Sequence, residues 1–155
     1  MRKFIVVSII PPEFPQEFPD QDWPPHVTLL GSFATHLPVA ELSQRLSAAC
    51  ARHAPIEVRG ATRQMFGPNL DVPVTEVWRT DALAALRSEI MQRFGTDVEY
   101  ASRPYPTYRP HVTDQRGGTL AVGATARLES ISLIEKDSER RIVVCTSPLA
   151  GSQNC

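Results

Sequence analysis

PPHVTLL at residues 24–30 is answered by RPHVTDQ at residues 109–115, and the two stretches decide how the chain is read. Of four histidines in 155 residues, His26 and His111 share one Pro-His-Val-Thr frame. A lone His-x-Thr carries no information, but a repeat that keeps the flanking Pro, Val and Thr is a constellation. Read as a strand, each element alternates its side chains, so the histidine and threonine point one way and the valine the other.

Outward from the repeat, the halves have a similar plan. KFIVVSII (3–10) is β-branched and apolar and stops at Pro11-Pro12, the profile of a buried strand. Its seven-residue apolar run reads as a first strand and not as a leader. Six prolines between 11 and 25 exclude helix and central strand and predict an ordered loop leading to His26. VAELSQRLSAACARHA, after Pro38, places Val39, Leu42, Leu46, Ala49 and Cys50 at helical spacing. IEVRGATRQMF and VPVTEVWRT read as strands joined by a turn, with Trp78 in the core. A second helix has Asp81 as its N-cap, Leu83, Leu86, Ile90 and Phe94 on one face, and Gly95 as its stop. A second Pro-rich, aromatic segment leads to His111, and TARLESISLIEKD with RRIVVCTSPL forms a closing hairpin.

The expected fold is α+β: two pseudo-symmetric lobes, each an antiparallel sheet backed by a helix, facing each other across a central cleft. Length predicts a single domain over 1–155, with lobe one about 1–70 and lobe two about 71–150. Sixteen basic against 17 acidic side chains leave no polycationic surface for nonspecific duplex binding. Fourteen of those cations are Arg, whose planar fork suits phosphate. Cys50, Cys145 and Cys155 are odd in number and lack C-x-x-C spacing, which argues against a disulfide framework and for a reducing, cytoplasmic setting. No run approaches the roughly 18 apolar residues of a membrane span. We expect a monomer.

Two histidines and two threonines on one face suit a particular chemistry. An imidazole titrates near neutrality, so one ring can hold a proton while its twin lacks it, providing acid and base together. Threonine hydroxyls and arginines can hold phosphate oxygens. In-line displacement at phosphorus needs that set, with no metal and no cofactor. Metal ligation by the histidines is the weaker reading, because no Asp, Glu or Cys cluster stands at ligand spacing.

The chain resembles the two-histidine (2H) phosphoesterase superfamily, which includes bacterial proteins called 2'-5' RNA ligases and cyclic phosphodiesterases. The opening FIVV strand, HVTLLGSF, VRGATRQMFGP as a glycine-containing strand, two helices and YRPHVT carry the resemblance. It implies His26 and His111 as the catalytic pair and Thr28 and Thr113 as phosphate binders. It implies hydrolysis of 2',3'-cyclic phosphates or related phosphodiester bonds in RNA ends or small and cyclic oligonucleotides. The alternative is a nucleotide- or RNA-binding module of the same fold with little turnover. One departure is Asp114, where the family has an apolar residue after its second motif.

Tyr105 and Tyr108 either stack on a base or pack their loop, and Arg109, with Arg103 and Arg116, offers phosphate contacts. Trp23 either lines the cleft or anchors the first Pro-rich loop. His36 and His53 are assigned no catalytic role, His53 being explained by a helix C-terminus. The expected division of labour has His111 as base and His26 as acid.

Overall fold

The computed structural model describes residues 1–102 and 107–150. Its strands are β1 (Arg2–Ile9), β2 (Glu17–Pro19), β3 (His26–Thr35), β4 (Ile56–Phe66), β5 (Val72–Val77), β6 (Val98–Tyr100), β7 (His111–Thr113), β8 (Thr125–Leu128), β9 (Ser130–Asp137) and β10 (Arg140–Pro148). Helix α1 spans Val39–Cys50 and α2 spans Asp81–Phe94. The strands form one antiparallel sheet in the order β2-β10-β9-β1-β3-β7-β5-β4-β8, with β6 pairing β3 beside β7. The α+β class and the antiparallel sheet backed by helices are as expected.

That order reads alike from its middle outward. β3 and β7 meet at the centre, β1 and β5 flank them, and β9 and β4 come next. A pseudo-two-fold axis therefore passes between β3 and β7, the strands that carry the repeat. β4 and β5, on either side of residue 70, pair with each other, while β9 and β10 return to lie beside β1 and β2.

Both helices cover one face of the sheet. Leu42, Leu46, Ala49 and Cys50 of α1 and Leu83, Leu86, Ile90 and Phe94 of α2 are buried against Val27, Leu29, Phe33 and Val112. Each large apolar side chain so buried contributes about 1.5–3 kcal/mol relative to exposure. α2 is capped by Thr80, whose hydroxyl accepts the Leu83 N–H at 3.2 Å, so the cap lies one residue before the expected Asp81. Gly95 ends the helix at φ +57°, a conformation that suits glycine.

The first Pro-rich segment is ordered and lies over the opposite face of the β1 side, contributing the short edge strand β2. Phe14, Phe18 and Trp23 pack there on Val7, Ile9, Ile134 and Val143. Asp20 fastens the loop by accepting from Trp23 Nε1 at 3.2 Å and pairing with Arg141 at 2.8 Å. Trp78 departs from its expected core position and is 62% exposed. Val77 is the last inward residue of β5, and the Trp78 N–H bonds the Arg59 carbonyl at 3.0 Å while its ring faces solvent. The expected strand over 125–137 breaks at Glu129, so that β8 pairs β4 while β9 pairs β1 and β10.

Among the described residues Cys50 and Cys145 are free thiols, and burial pushes Cys50 up to about 12. Among the described residues no helix is long and apolar enough to cross a membrane.

Candidate active site

The site is built by a single cross-strand pair. Val27 of β3 faces Val112 of β7, both fully buried on the helical side. Alternation then turns His26, Thr28, His111 and Thr113 to the other face. Continuing the antiparallel register by one residue sets each histidine opposite the threonine of the other motif. The histidines are thus diagonal neighbours, whose Cα atoms lie roughly 7–8 Å apart and whose Cβ atoms lie somewhat closer. A phosphorus with its two axial oxygens fits between two rings so placed, given hydrogen bonds of about 2.6–3.2 Å at either end.

Both rings are oriented in the same way. His26 Nδ1 bonds the Pro24 carbonyl at 2.9 Å, and His111 Nδ1 bonds the Arg109 carbonyl at 2.9 Å. A carbonyl only accepts, so each neutral ring carries its hydrogen on Nδ1 and keeps its lone pair on Nε2. The residue two before each histidine thereby fixes its tautomer, which gives the shared approach to the motif a physical role.

The surroundings of the two rings differ. Trp23 lies on His26 with ring centroids 4.4 Å apart and an interplanar angle of 33°. Burial pushes His26 below the ordinary histidine range, the Pro24 carbonyl opposes that shift, and the charge of His111 adds to it. His111 is flanked edge-on by Phe66 at 4.8 Å and is open to the cleft.

Opposite residues of a ladder share a face, so the register of β4, β5 and β7 brings Gln64, Phe66, Val72, Val74 and Glu76 to the His111 side. Glu76 takes a bidentate ion pair from Arg109 at 2.9 and 3.0 Å, and Arg109 also lies 4.6 Å over Phe66. That guanidinium holds the Glu76 carboxyl below its usual range. Arg109 is therefore beside the site with its charge already matched.

Asp114 turns the other way. Its carboxylate takes two hydrogen bonds of 2.7 Å from Arg63, which also donates to the buried Thr75 hydroxyl at 2.9 Å, on the Val112 side of the sheet. The Asp114 N–H bonds the Pro73 carbonyl at 3.0 Å. The residue that departs from the motif pins the end of β7.

A family model described as the 2'-5' RNA ligase superfamily matches residues 13–138. The chain belongs to that superfamily. Phosphoesterase chemistry, in a broad sense, comes with that membership. E. coli LigT complexed with 3'-AMP superposes with a TM-score of 0.59 at 15% identity, covering 96% of this chain and 98% of that one. The protein TT0787 of Thermus thermophilus gives 0.57 at 20% identity, covering 97% and 99%. LigT complexed with ATP gives 0.55 at 13% identity, covering 96% and 98%. No curated protein matches the chain by sequence.

In this member of the 2'-5' RNA ligase superfamily a cavity of about 1220 Å³ reaches the site at Thr28 and His111 and extends along β3 past Gly31 and Ser32 to Tyr100. His26 and Thr113 lie outside its lining. Tyr108 is a wall residue whose hydroxyl donates to the Thr28 carbonyl at 2.7 Å, tying the approach to the second motif onto the strand of the first. The Arg87 guanidinium of α2 lies over the Tyr108 ring, 4.6 Å from its centroid.

Tyr105 and Arg103 lie outside the described residues. His36 is exposed, and His53 bonds Glu89 of α2 at 2.8 Å just beyond the end of α1. Among the described residues no group of three or more His, Cys, Asp or Glu could hold a metal ion. Phe66, Glu76, Arg63, Arg87 and Tyr100 are not singled out by any motif. For the first two the signal is the register of the β4–β5 hairpin, which its turn sets but does not announce.

Proposed function

We propose that this protein is a metal-independent phosphodiesterase that hydrolyses 2',3'-cyclic phosphates or related phosphodiester bonds of RNA ends or small and cyclic oligonucleotides. The observation that carries the reading is the Val27–Val112 pair, which turns two like-oriented imidazoles and two threonine hydroxyls onto one open face. In this scheme His26 Nε2 removes a proton from water as its oxygen attacks phosphorus. The bond to the ribose oxygen breaks, and His111 Nε2–H protonates that oxygen. Thr28 and Thr113 donate to the oxygens that do not react.

The roles are the reverse of those expected from the sequence. The depressed His26 is neutral at neutral pH and so ready to accept a proton, while the open His111 faces the cleft from which a leaving group departs. The binding-module alternative rests on Asp114, and that carboxylate is engaged with Arg63 away from His111. The nucleotides bound by E. coli LigT, 3'-AMP, ATP and NADP+, support a nucleotide in the same cleft here.

The test is turnover of 2',3'-cyclic nucleotides, 2'-5' and 3'-5' oligonucleotides and cyclic oligonucleotides in EDTA, with wild type, His26→Ala and His111→Ala. Cleavage that survives EDTA and is lost in both variants is expected. Cleavage that persists in either variant would remove the paired-histidine mechanism.

A further inference from the structure

Among the described residues three arginines line the cleft, and two of these are matched by a carboxylate. Arg63 is held by Asp114 and Arg109 by Glu76. Arg87 has no carboxylate partner among the described residues. Its guanidinium lies 4.6 Å over the Tyr108 ring, a cation–π contact that leaves the charge of the guanidinium without an anion. Tyr108 is in turn fixed by its bond to the Thr28 carbonyl, so Arg87 is oriented by a residue tied to the first motif.

A second observation points to the same place. The Tyr100 hydroxyl is buried without a hydrogen-bond partner among the described residues, and Tyr100 lines the cleft within the field of Arg87. A buried hydroxyl without a partner is unfavourable, and a shift of the ring toward the cleft would let a ligand oxygen satisfy it. The wall between is open: a Cβ built on Gly31 meets nothing within 4 Å. β3 advances about 3.3 Å per residue, so Thr28 and Ser32 are roughly 13 Å apart, a span longer than a bare phosphate.

We propose that Arg87 and Tyr100 form a second phosphate-binding subsite, and that the ligand of this cleft carries a further phosphate beyond the one at the histidines. The inference rests on the phosphodiesterase reading for the first position. The second phosphate belongs either to a nucleoside bisphosphate or to the internucleotide link of an RNA end.

Calorimetric titration with adenosine 3'-monophosphate, adenosine 3',5'-bisphosphate and a diadenylate ending in a 3'-phosphate tests this without turnover. In wild type the additional phosphate is expected to tighten binding about tenfold or more, the size of one charge-assisted hydrogen bond. Arg87→Gln should abolish that ratio, and Arg87→Lys, which keeps the charge without the fork, should restore part of it. Tyr100→Phe should reduce the ratio while raising the melting temperature of the ligand-free protein, because it removes an unpartnered buried hydroxyl. A larger gain for the diadenylate than for the bisphosphate assigns the subsite to an RNA end, and the reverse order to a free nucleotide. Equal affinity for all three ligands in wild type, or a ratio that survives in Arg87→Gln, overturns the proposal. Hydrolysis of cyclic mononucleotides with equal affinities would sink the subsite alone, and a normal ratio without any hydrolysis would sink the catalytic reading alone.

Discussion

Tyr108→Phe separates two roles for a residue that the sequence offers as a substrate contact. The hydroxyl of the half-buried Tyr108 donates at 2.7 Å to the Thr28 carbonyl, joining the segment that leads into His111 to the strand that carries His26. Deleting it keeps the ring, and with it the support for Arg87, but leaves the half-buried Thr28 carbonyl without that donor. The expected cost is about 1–3 kcal/mol. For a chain of this size that corresponds to a fall in Tm of roughly 2–4 °C per kcal/mol. Because the lost bond aligns the two motifs, kcat should fall by about tenfold or more while KM changes less, as expected when reacting groups are displaced by a fraction of an ångström. Urea denaturation and steady-state kinetics on a cyclic nucleotide read the two effects. An unchanged urea midpoint together with a raised KM would refute the reasoning and make the hydroxyl a direct substrate contact.

Other perturbations follow from the same geometry. The depressed His26 predicts that kcat/KM falls as pH drops through its folded-state pKa, below 6.5, and Trp23→Leu, which admits water to the ring, should move that limb to higher pH; a limb that stays put would remove burial as the cause. Since unfolded His26 binds its proton first, its contribution to stability is fully present above pH 6.5 and is lost as pH falls toward the folded-state pKa, which should appear as a declining urea midpoint that His26→Phe removes. Asp114→Asn releases Arg63 and loosens the end of β7, so it should lower kcat more than it changes KM for a cyclic nucleotide, and Arg63→Gln should have the same effect; full activity in both would show that β7 needs no pin. Gly60→Ala places a Cβ 2.3 Å from the Ala121 carbonyl oxygen, and chemical denaturation should register a loss of about 1–3 kcal/mol; wild-type stability would mean that the 120–124 segment yields freely.

Much of the architecture is legible in the chain because it is written in local periodicities. The helices follow from apolar spacing at 42, 46, 49 and 50 and at 83, 86, 90 and 94, and the repeated His-Val-Thr gives the facing of its own side chains. What is not legible depends on contacts far apart in sequence. Nothing local says that β4 and β5 join β7 while β9 and β10 return to β1, so Glu76 and Phe66 cannot be placed beside His111 in advance. Trp78 reads as core because its strand is apolar, yet Val77 is the last inward position. Asp114 resembles a defect in the motif when only its neighbours are considered, and its partner, Arg63, lies 51 residues away.

The histidine roles show the same division between symmetry and packing. A true two-fold would give both imidazoles one environment and one pKa, and a pair with identical affinities is a poor acid and base at any single pH. The repeat supplies the geometry: like tautomers, diagonal placement and a threonine opposite each ring. What differentiates the rings lies outside the repeat, in the Pro-rich loop that lays Trp23 over His26 and in the β4–β5 hairpin that leaves His111 edge-on to Phe66 and open. Six prolines before His26 thus have a chemical consequence, because a preordered loop can exclude water from one ring at little cost in chain entropy. Replacing Phe18, which packs edge-on against Trp23 at 5.1 Å, with Ala should loosen that cover and shift the acid limb in the direction predicted for Trp23→Leu, without touching either histidine. An unshifted limb in Phe18→Ala and a shifted one in Trp23→Leu would localise the effect to the indole itself, and no shift in either would leave the asymmetry of the pair without its proposed origin.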